Sequence, residues 1–318
     1  MEESNKIDEV SSPKITEVIS EGVKKKKKVS YSQFKDWFNC PHKWYLDHVK
    51  GLRKSEGSVN TCFGTAIHES LQKYIEVMYK ESVVKADALE LYPLFESTFK
   101  SELEKEKIVS TTEEFEEFCK DGQAILDAFL NVSNRMKHFP SHKYEFFGIE
   151  DEIRMPIKNN IEFICYIDVI LKEKHTGRFK IFDIKTSRMG WNKYQKEDPS
   201  KISQILLYKS FFSRKYNIPI DKIDVEFFIV KRKLYEDYPY PQSHIQPFVP
   251  KHTSKTMTDT INVFVQFVTE CFTSEGEYND DLSLYPKIPG KNKKNCKYCP
   301  HYKKECDAKS SLTKEESD

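Results

Sequence analysis

Apolar residues in this chain recur every three or four positions over long stretches and every second position over shorter ones, and the two spacings predict helices and strands respectively. In FGTAIHESLQKYIEVMYK (63–80), Ile67, Leu71, Tyr74 and Met78 fall on one side of a helix. Earlier, YSQFKDWFNCPHKWYLDHV carries Phe34, Trp37, Phe38, Trp44, Tyr45 and Val49 at helical spacing. Ser32 is the expected cap there, and Pro41 is placed to open a second helix. Helical texture continues over about 85–105 and 112–137. Strand texture then takes over in EFFGIEDEIRMPI, IEFICYIDVILK and GRFKIFDIKTS, with turns at Lys158-Asn159-Asn160 and His175-Thr176-Gly177. These three are expected to pair antiparallel. SKISQILLYKSFFSRKY reads as a helix, VEFFIVKR as a strand, and about 257–273 as a last helix.

That order predicts one compact α/β body, a central mixed sheet flanked by helices with a helical insertion near the N-terminus at about 80–138. Residues 1–28 are polar, lack a period and end in the run Lys24 to Lys28, so they read as a disordered, basic-ended arm. The body spans 29–306, with a cysteine cluster at 296–306, and 307–318 reads as a flexible tail. No repeat is visible.

Composition adds limits. Apolar residues make up 38% and charged residues 32%, with 22 Phe and 17 Tyr, which describes a soluble protein with an aromatic core. No window approaches a membrane span of about 20 apolar residues, and MEESNKIDEV is too polar for a signal peptide. The expected setting is therefore the cytoplasm, including that of a phage-infected host, with no membrane partner. Lys and Arg total 51 against 50 Asp and Glu, so net charge neither requires nor excludes nucleic acid. Cys62, Cys119, Cys165 and Cys271 sit among apolar neighbours as packed thiols.

The candidate chemistry begins in KIFDIKTS. At a period of two, Asp183 and Lys185 share a strand face with Phe179 and Ile181. Asp168 interrupts the neighbouring strand, and the turn near Gly177 can lay the two strands side by side. Two carboxylates on one sheet repel unless a proton or cation lies between them. Oxygen donors of this kind suit Mg²⁺ or Mn²⁺, and the chemistry that follows is phosphodiester hydrolysis, with Lys185 orienting water or stabilising charge. A surface Asp–Lys pair is the plain alternative.

His68 in GTAIHE, Asp168 in YIDVI, Asp183-x-Lys185 in DIKTS and Gln204-x3-Tyr208 in QILLY together resemble the RecB-like branch of the PD-(D/E)xK nuclease superfamily, which includes AddB-like and Cas4-like nucleases and phage exonucleases. The resemblance covers roughly 30–306 and implies a restriction-endonuclease-like core. It implies that His68, Asp168, Asp183 and the Ile184 carbonyl hold the metal, that Lys185 is the catalytic lysine, and that Gln204 and Tyr208 touch substrate or support the site. Asp183 stands where many relatives carry Glu, and Cys165 takes the glycine place of a GxxD form. Glu150 is a further acid within possible reach of the site, balanced against a reading as surface carboxylate.

CKYCPHYKKEC sets Cys296, Cys299 and Cys306 in a C-x2-C-x6-C pattern that suits zinc or an iron–sulfur cluster, with His301 or the distant Cys40 as fourth ligand. Spacing alone favours zinc with His301. The resemblance implies instead a structural [4Fe–4S] cluster on Cys40, Cys296, Cys299 and Cys306. Seven lysines from Lys287 to Lys304, interleaved with Tyr298 and Tyr302, form a candidate surface for a phosphate backbone and unpaired bases. The function expected is a metal-dependent DNA exonuclease acting on single-stranded or free ends in recombination, repair or replication, where a helicase or recombinase is the kind of partner implied. A non-catalytic nucleic-acid-binding protein and a metal-stapled interaction protein are the rival readings.

Overall fold

The computed structural model describes residues 26–53, 57–307 and 309. The expected arm up to residue 25 and almost all of the expected tail lie outside the described residues. The elements run β1 (Lys27–Val29), α1 (Tyr31–Asn39), α2 (Pro41–Trp44), a π-helical turn (Tyr45–Val49), α3 (Val59–Lys80), α4 (Val83–Asp87), α5 (Leu91–Lys105), α6 (Thr112–Leu130) and α7 (Val132–His138). They continue through β2 (Tyr144–Pro156), β3 (Ile161–Glu173), β4 (Phe179–Ser187), α8 (Lys193–Lys196), α9 (Pro199–Tyr216), β5 (Ile223–Lys231), β6 (Ile245–Phe248) and α10 (Ser254–Cys271).

The six strands form one mixed sheet in the order β1-β3-β4-β5-β6, with β2 also paired to β3. β2–β3, β3–β4 and β5–β6 are antiparallel, while β1–β3 and β4–β5 are parallel. Both faces are covered, which is why β4 and β5 read as nearly continuous apolar runs. On one face Phe63, Ile67, Leu71, Phe95 and Phe129 of α3, α5 and α6 pack on Phe182, Ile184 and Phe228. On the other, Phe34, Trp37, Phe211, Phe264 and Phe267 of α1, α9 and α10 pack on Phe163, Ile181 and Phe227. The central mixed sheet between helical layers is the architecture expected above.

Several boundaries differ from the sequence reading. Lys27 and Lys28, assigned to the arm, pair in β1 with Ile161 and Glu162, and Val29 beside them is fully buried. Three residues are too short to show a period. Ser30, not Ser32, precedes α1 at the cap position, with no side-chain cap bond, and Ser32 lies inside the helix. Pro41 does open α2. The 85–105 stretch is two helices, α4 and α5, and 112–137 is α6 and α7, the break falling at Asn131, whose side chain caps α7. β6 escaped notice because Pro247 interrupts its four residues, and such a strand survives only at an edge.

Candidate active site

β3 and β4 pair from Lys172↔Phe179 to Val169↔Phe182, and the ladder stops there. One residue further, at Asp168 and Asp183, the strands part, while β4 continues along β5 to Ser187. The fork therefore opens where each strand carries an acid. Its first bridge is a hydrogen bond, donated by the Ile184 N–H to Asp168 Oδ2 at 2.6 Å. α3 crosses the fork, starting at Ser58, whose side chain accepts from the Thr61 N–H in a reciprocal capping box. It brings His68 Nδ1 to 3.7 Å from Asp168 Oδ2, and the imidazole donates toward the Ile184 carbonyl.

Lys185 follows Asp183 along the same strand edge, its Nζ 2.7 Å from Asp183 Oδ2. That oxygen makes this ion pair without an aligned hydrogen bond, and Asp183 is 1% exposed. Burial sets the electrostatics. It lifts Asp168 and Asp183 to about 6, against partial relief from Lys185. It lowers His68 to about 4, helped by Lys185, so the imidazole is neutral at neutral pH. Burial also pulls on Lys185, but Asp183 and Asp168 outweigh it and hold the ammonium's pKa above its usual value.

On α9, Gln204 Nε2 donates to the Tyr208 hydroxyl at 3.0 Å. Tyr208 is buried, and burial followed by the charge of Asp183 raises its pKa well above the ordinary phenol value. Gln204 and Tyr208 thus form one unit beside the acids. Glu150 sits in β2 with φ of 48°, a left-handed conformation unusual for a residue other than glycine. Its Oε1 accepts from Gln72 Nε2 at 2.6 Å, and its charge is felt by Asp168 and His68. Gln72 was missed in the sequence, although it stands one helical turn after His68, the spacing that puts two side chains on one face. It also donates to the Asp168 carbonyl at 3.3 Å.

His68, Asp168, Asp183, Lys185 and the Ile184 backbone thus meet at one fork, and Tyr208, bonded to Gln204, feels the charge of its two acids. Among the described residues, no three His, Cys, Asp or Glu side chains are already arranged to grip a metal ion. The donor set nevertheless fits a hard divalent cation: the buried Asp183 and half-buried Asp168 carboxylates, both raised by desolvation, a neutral imidazole and a backbone carbonyl.

The four cysteines set apart in the sequence also meet. Cys40, between α1 and α2, and Cys296, Cys299 and Cys306 line one cavity of about 20 Å³ together with His301. Burial, then Cys40, raises the Cys296 thiol. His301 is fully buried with Nε2 2.8 Å from Asp47 Oδ1 and Nδ1 3.4 Å from Glu305 Oε2, so carboxylates face both ring nitrogens. Cys62, Cys119, Cys165 and Cys271 are buried free thiols elsewhere. Six of the seven C-terminal lysines are exposed, and Lys297 lies over the Tyr298 ring at 5.2 Å. No helix among the described residues is long and apolar enough to cross a membrane.

The family model described as the PD-(D/E)XK nuclease superfamily matches residues 28–307. Among solved structures, a protein of Eubacterium rectale named "Putative exonuclease" is similar at a TM-score of 0.45 and 11% identity, over 79% of this chain and 84% of that one. No curated protein matches the chain.

Proposed function

The chain belongs to the PD-(D/E)XK nuclease superfamily, and from that premise we propose that it is a divalent-metal-dependent DNA exonuclease of the RecB-like branch. The observation that carries the proposal is the fork, where Asp168, Asp183, Lys185 and His68 meet in a partly exposed setting. Mg²⁺ or Mn²⁺ bound by Asp168, Asp183, His68 and the Ile184 carbonyl would supply charge neutralisation at phosphorus and a more acidic water. Everything else falls to the chain. Hydrolysis adds water across a P–O ester bond, leaving a phosphate and a hydroxyl, and negative charge develops on the phosphoryl oxygens. Lys185, its side chain 28% exposed, offers a fixed ammonium to that charge or to the attacking water. Asp183 keeps it in place. His68 stays neutral and adds no charge at the fork, while Gln72 steadies Glu150 and the strand behind Asp168.

Single-stranded or free ends are the proposed substrate, and the lysine surface from Lys287 to Lys304 with Tyr298 would follow the strand. The four cysteines are assigned to a structural [4Fe–4S] cluster. Their convergence on one cavity, with both nitrogens of His301 already facing carboxylates, supports this over a zinc site using His301. The decisive assay is digestion of end-labelled single- and double-stranded DNA with Mg²⁺, Mn²⁺ or EDTA. Metal-dependent loss of label that disappears in Lys185→Ala is expected. Equal cleavage by that variant would refute the assignment.

A further inference from the structure

A second polar basin lies where α3 begins beside the exit of β4. It is a cavity of about 200 Å³ lined by Asn60 and Phe63 of α3, by Thr186, Ser187 and Arg188 at the end of β4, and by Arg232 just past β5. We propose that this basin binds a phosphate group of the nucleic-acid strand, with Arg188 as its charged contact, an inference that rests on the nuclease reading above.

Charge bookkeeping points to Arg188. Arg232 Nη1 lies 3.0 Å from Asp121 Oδ2, and Lys233 Nζ lies 2.8 Å from both Asp121 and Glu117. Those two cations are matched by two acids of α6. Arg188 is exposed and is felt by Glu117 only at longer range, so its charge is left for something else. Arg232 supplies an independent sign: its Nε is buried without a hydrogen-bond partner. A buried donor with no acceptor is uncommon and asks for one. The Arg232 guanidinium packs on the Phe118 ring, 4.0 Å to its centroid, a contact that buries the Nε–H but gives it no oxygen acceptor.

The walls suit an anion. α3 runs for 22 residues with no acid in its first turn, so the partial positive charge of its N-terminus is not cancelled there. Asn60, Thr186 and Ser187 add polar side chains, and Phe63, 2% exposed, closes the floor. Gly64 lets helix and strand meet: a Cβ there would stand 3.0 Å from Thr186 Oγ1. The position also fits. Arg188 is three residues past Lys185, ~10 Å along an extended strand. Asn60, Gly64 and His68 follow one another at four-residue steps on one face of α3, ~12 Å end to end. A strand crossing the fork reaches the basin within a few nucleotides of the bond under attack.

The ligand chemistry is a phosphate oxygen, from either an internal phosphodiester or a strand's terminal phosphate. The test is fluorescence anisotropy of short labelled oligothymidylates in EDTA, unphosphorylated, 5′-phosphorylated or 3′-phosphorylated, titrated with salt. Wild type, Arg188→Gln, Arg188→Lys and Asn60→Ala with Arg188→Gln are compared, beside a separate Mn²⁺ cleavage assay of the wild type. Arg188→Gln is expected to weaken binding roughly tenfold, the scale of one charged hydrogen-bonded contact. It should also lower the salt slope by about 0.7, one phosphate's share on a single strand, with Arg188→Lys recovering the slope. Equal loss on all three oligonucleotides assigns an internal phosphate, and loss confined to one phosphorylated end assigns that terminus. A wild type that cleaves, beside an Arg188→Gln protein with unchanged affinity and slope, overturns the basin alone. A wild type that binds through Arg188 but does not cleave overturns the nuclease reading alone, one that cleaves without binding in EDTA overturns the basin alone, and absence of both binding and cleavage overturns both.

Discussion

Lowering the pH should weaken metal binding far more than ordinary carboxylates would allow. Burial holds Asp168 and Asp183 at about 6 rather than at 3.8. A divalent ion takes them only when ionised, so protons compete with it, and affinity rises with pH through that range. At pH 7 about nine-tenths of each acid is free of its proton, and at pH 5 about one-tenth. The apparent affinity therefore falls about tenfold for each acid, and about a hundredfold for the pair, between those two values. His68, lowered to about 4, stays neutral throughout and contributes almost nothing. Calorimetric titration of EDTA-stripped protein with Mn²⁺ at pH 5, 6, 7 and 8 measures the slope. Asp183→Asn, which leaves one titrating acid, should reduce the loss to about tenfold. An affinity flat between pH 5 and pH 7 would mean that both acids titrate as surface groups, and the picture of acids raised by desolvation would fail.

Two further outcomes concern the scaffold. Gly64→Ala gains roughly 1 kcal/mol of helix propensity but presses a Cβ on Thr186 Oγ1, so urea stability should stay near wild type while cleavage per folded molecule drops. Wild-type kinetics there would show that the seating of α3 on β4 does not matter. Cys40→Ser should lose the iron of anaerobically prepared protein, whereas His301→Ala should keep it and lose about 1–3 kcal/mol, because Asp47 Oδ1 loses its donor while Lys43 still holds Oδ2. Iron retained in the first variant and lost in the second would reverse the cluster assignment.

The parts of the candidate site that were legible in the sequence are those encoded locally. Asp183 and Lys185 are two residues apart on a strand, Gln204 and Tyr208 one turn apart on a helix, and each spacing survives into the structure. The fork itself was not legible. It depends on where β3 stops pairing with β4, which packing against two helical layers decides and no local pattern records. The left-handed backbone of Glu150 is hidden for the same reason, since its β2 register is set across the sheet. Gln72 was within reach of helical spacing alone. The strand β1 was not, because its partner lies more than 130 residues away and its own three residues carry two lysines. Cys40 joined the other three cysteines through family resemblance rather than through anything in its neighbourhood.

The meeting of the chain's early helices with its cysteine-rich end has a consequence for synthesis. Trp44 stacks on Tyr285 at 5.8 Å, the Asn295 side chain donates to the Asn39 carbonyl, and His301 reaches Asp47 across 254 residues. The π-helical turn thus leaves the ribosome long before the groups that bury it. At about 5–20 residues per second, the interval is roughly 13–50 s. Until its end Trp44, Tyr45 and the Asp47 carboxylate lack these neighbours, although the sheet can assemble once β6 has been made. A nascent chain stalled before Tyr285 would therefore offer an aromatic patch to chaperones and proteases. Quality control of this protein would be read at α1, α2 and the π-helical turn, and synthesis of the cysteine-rich segment would release it.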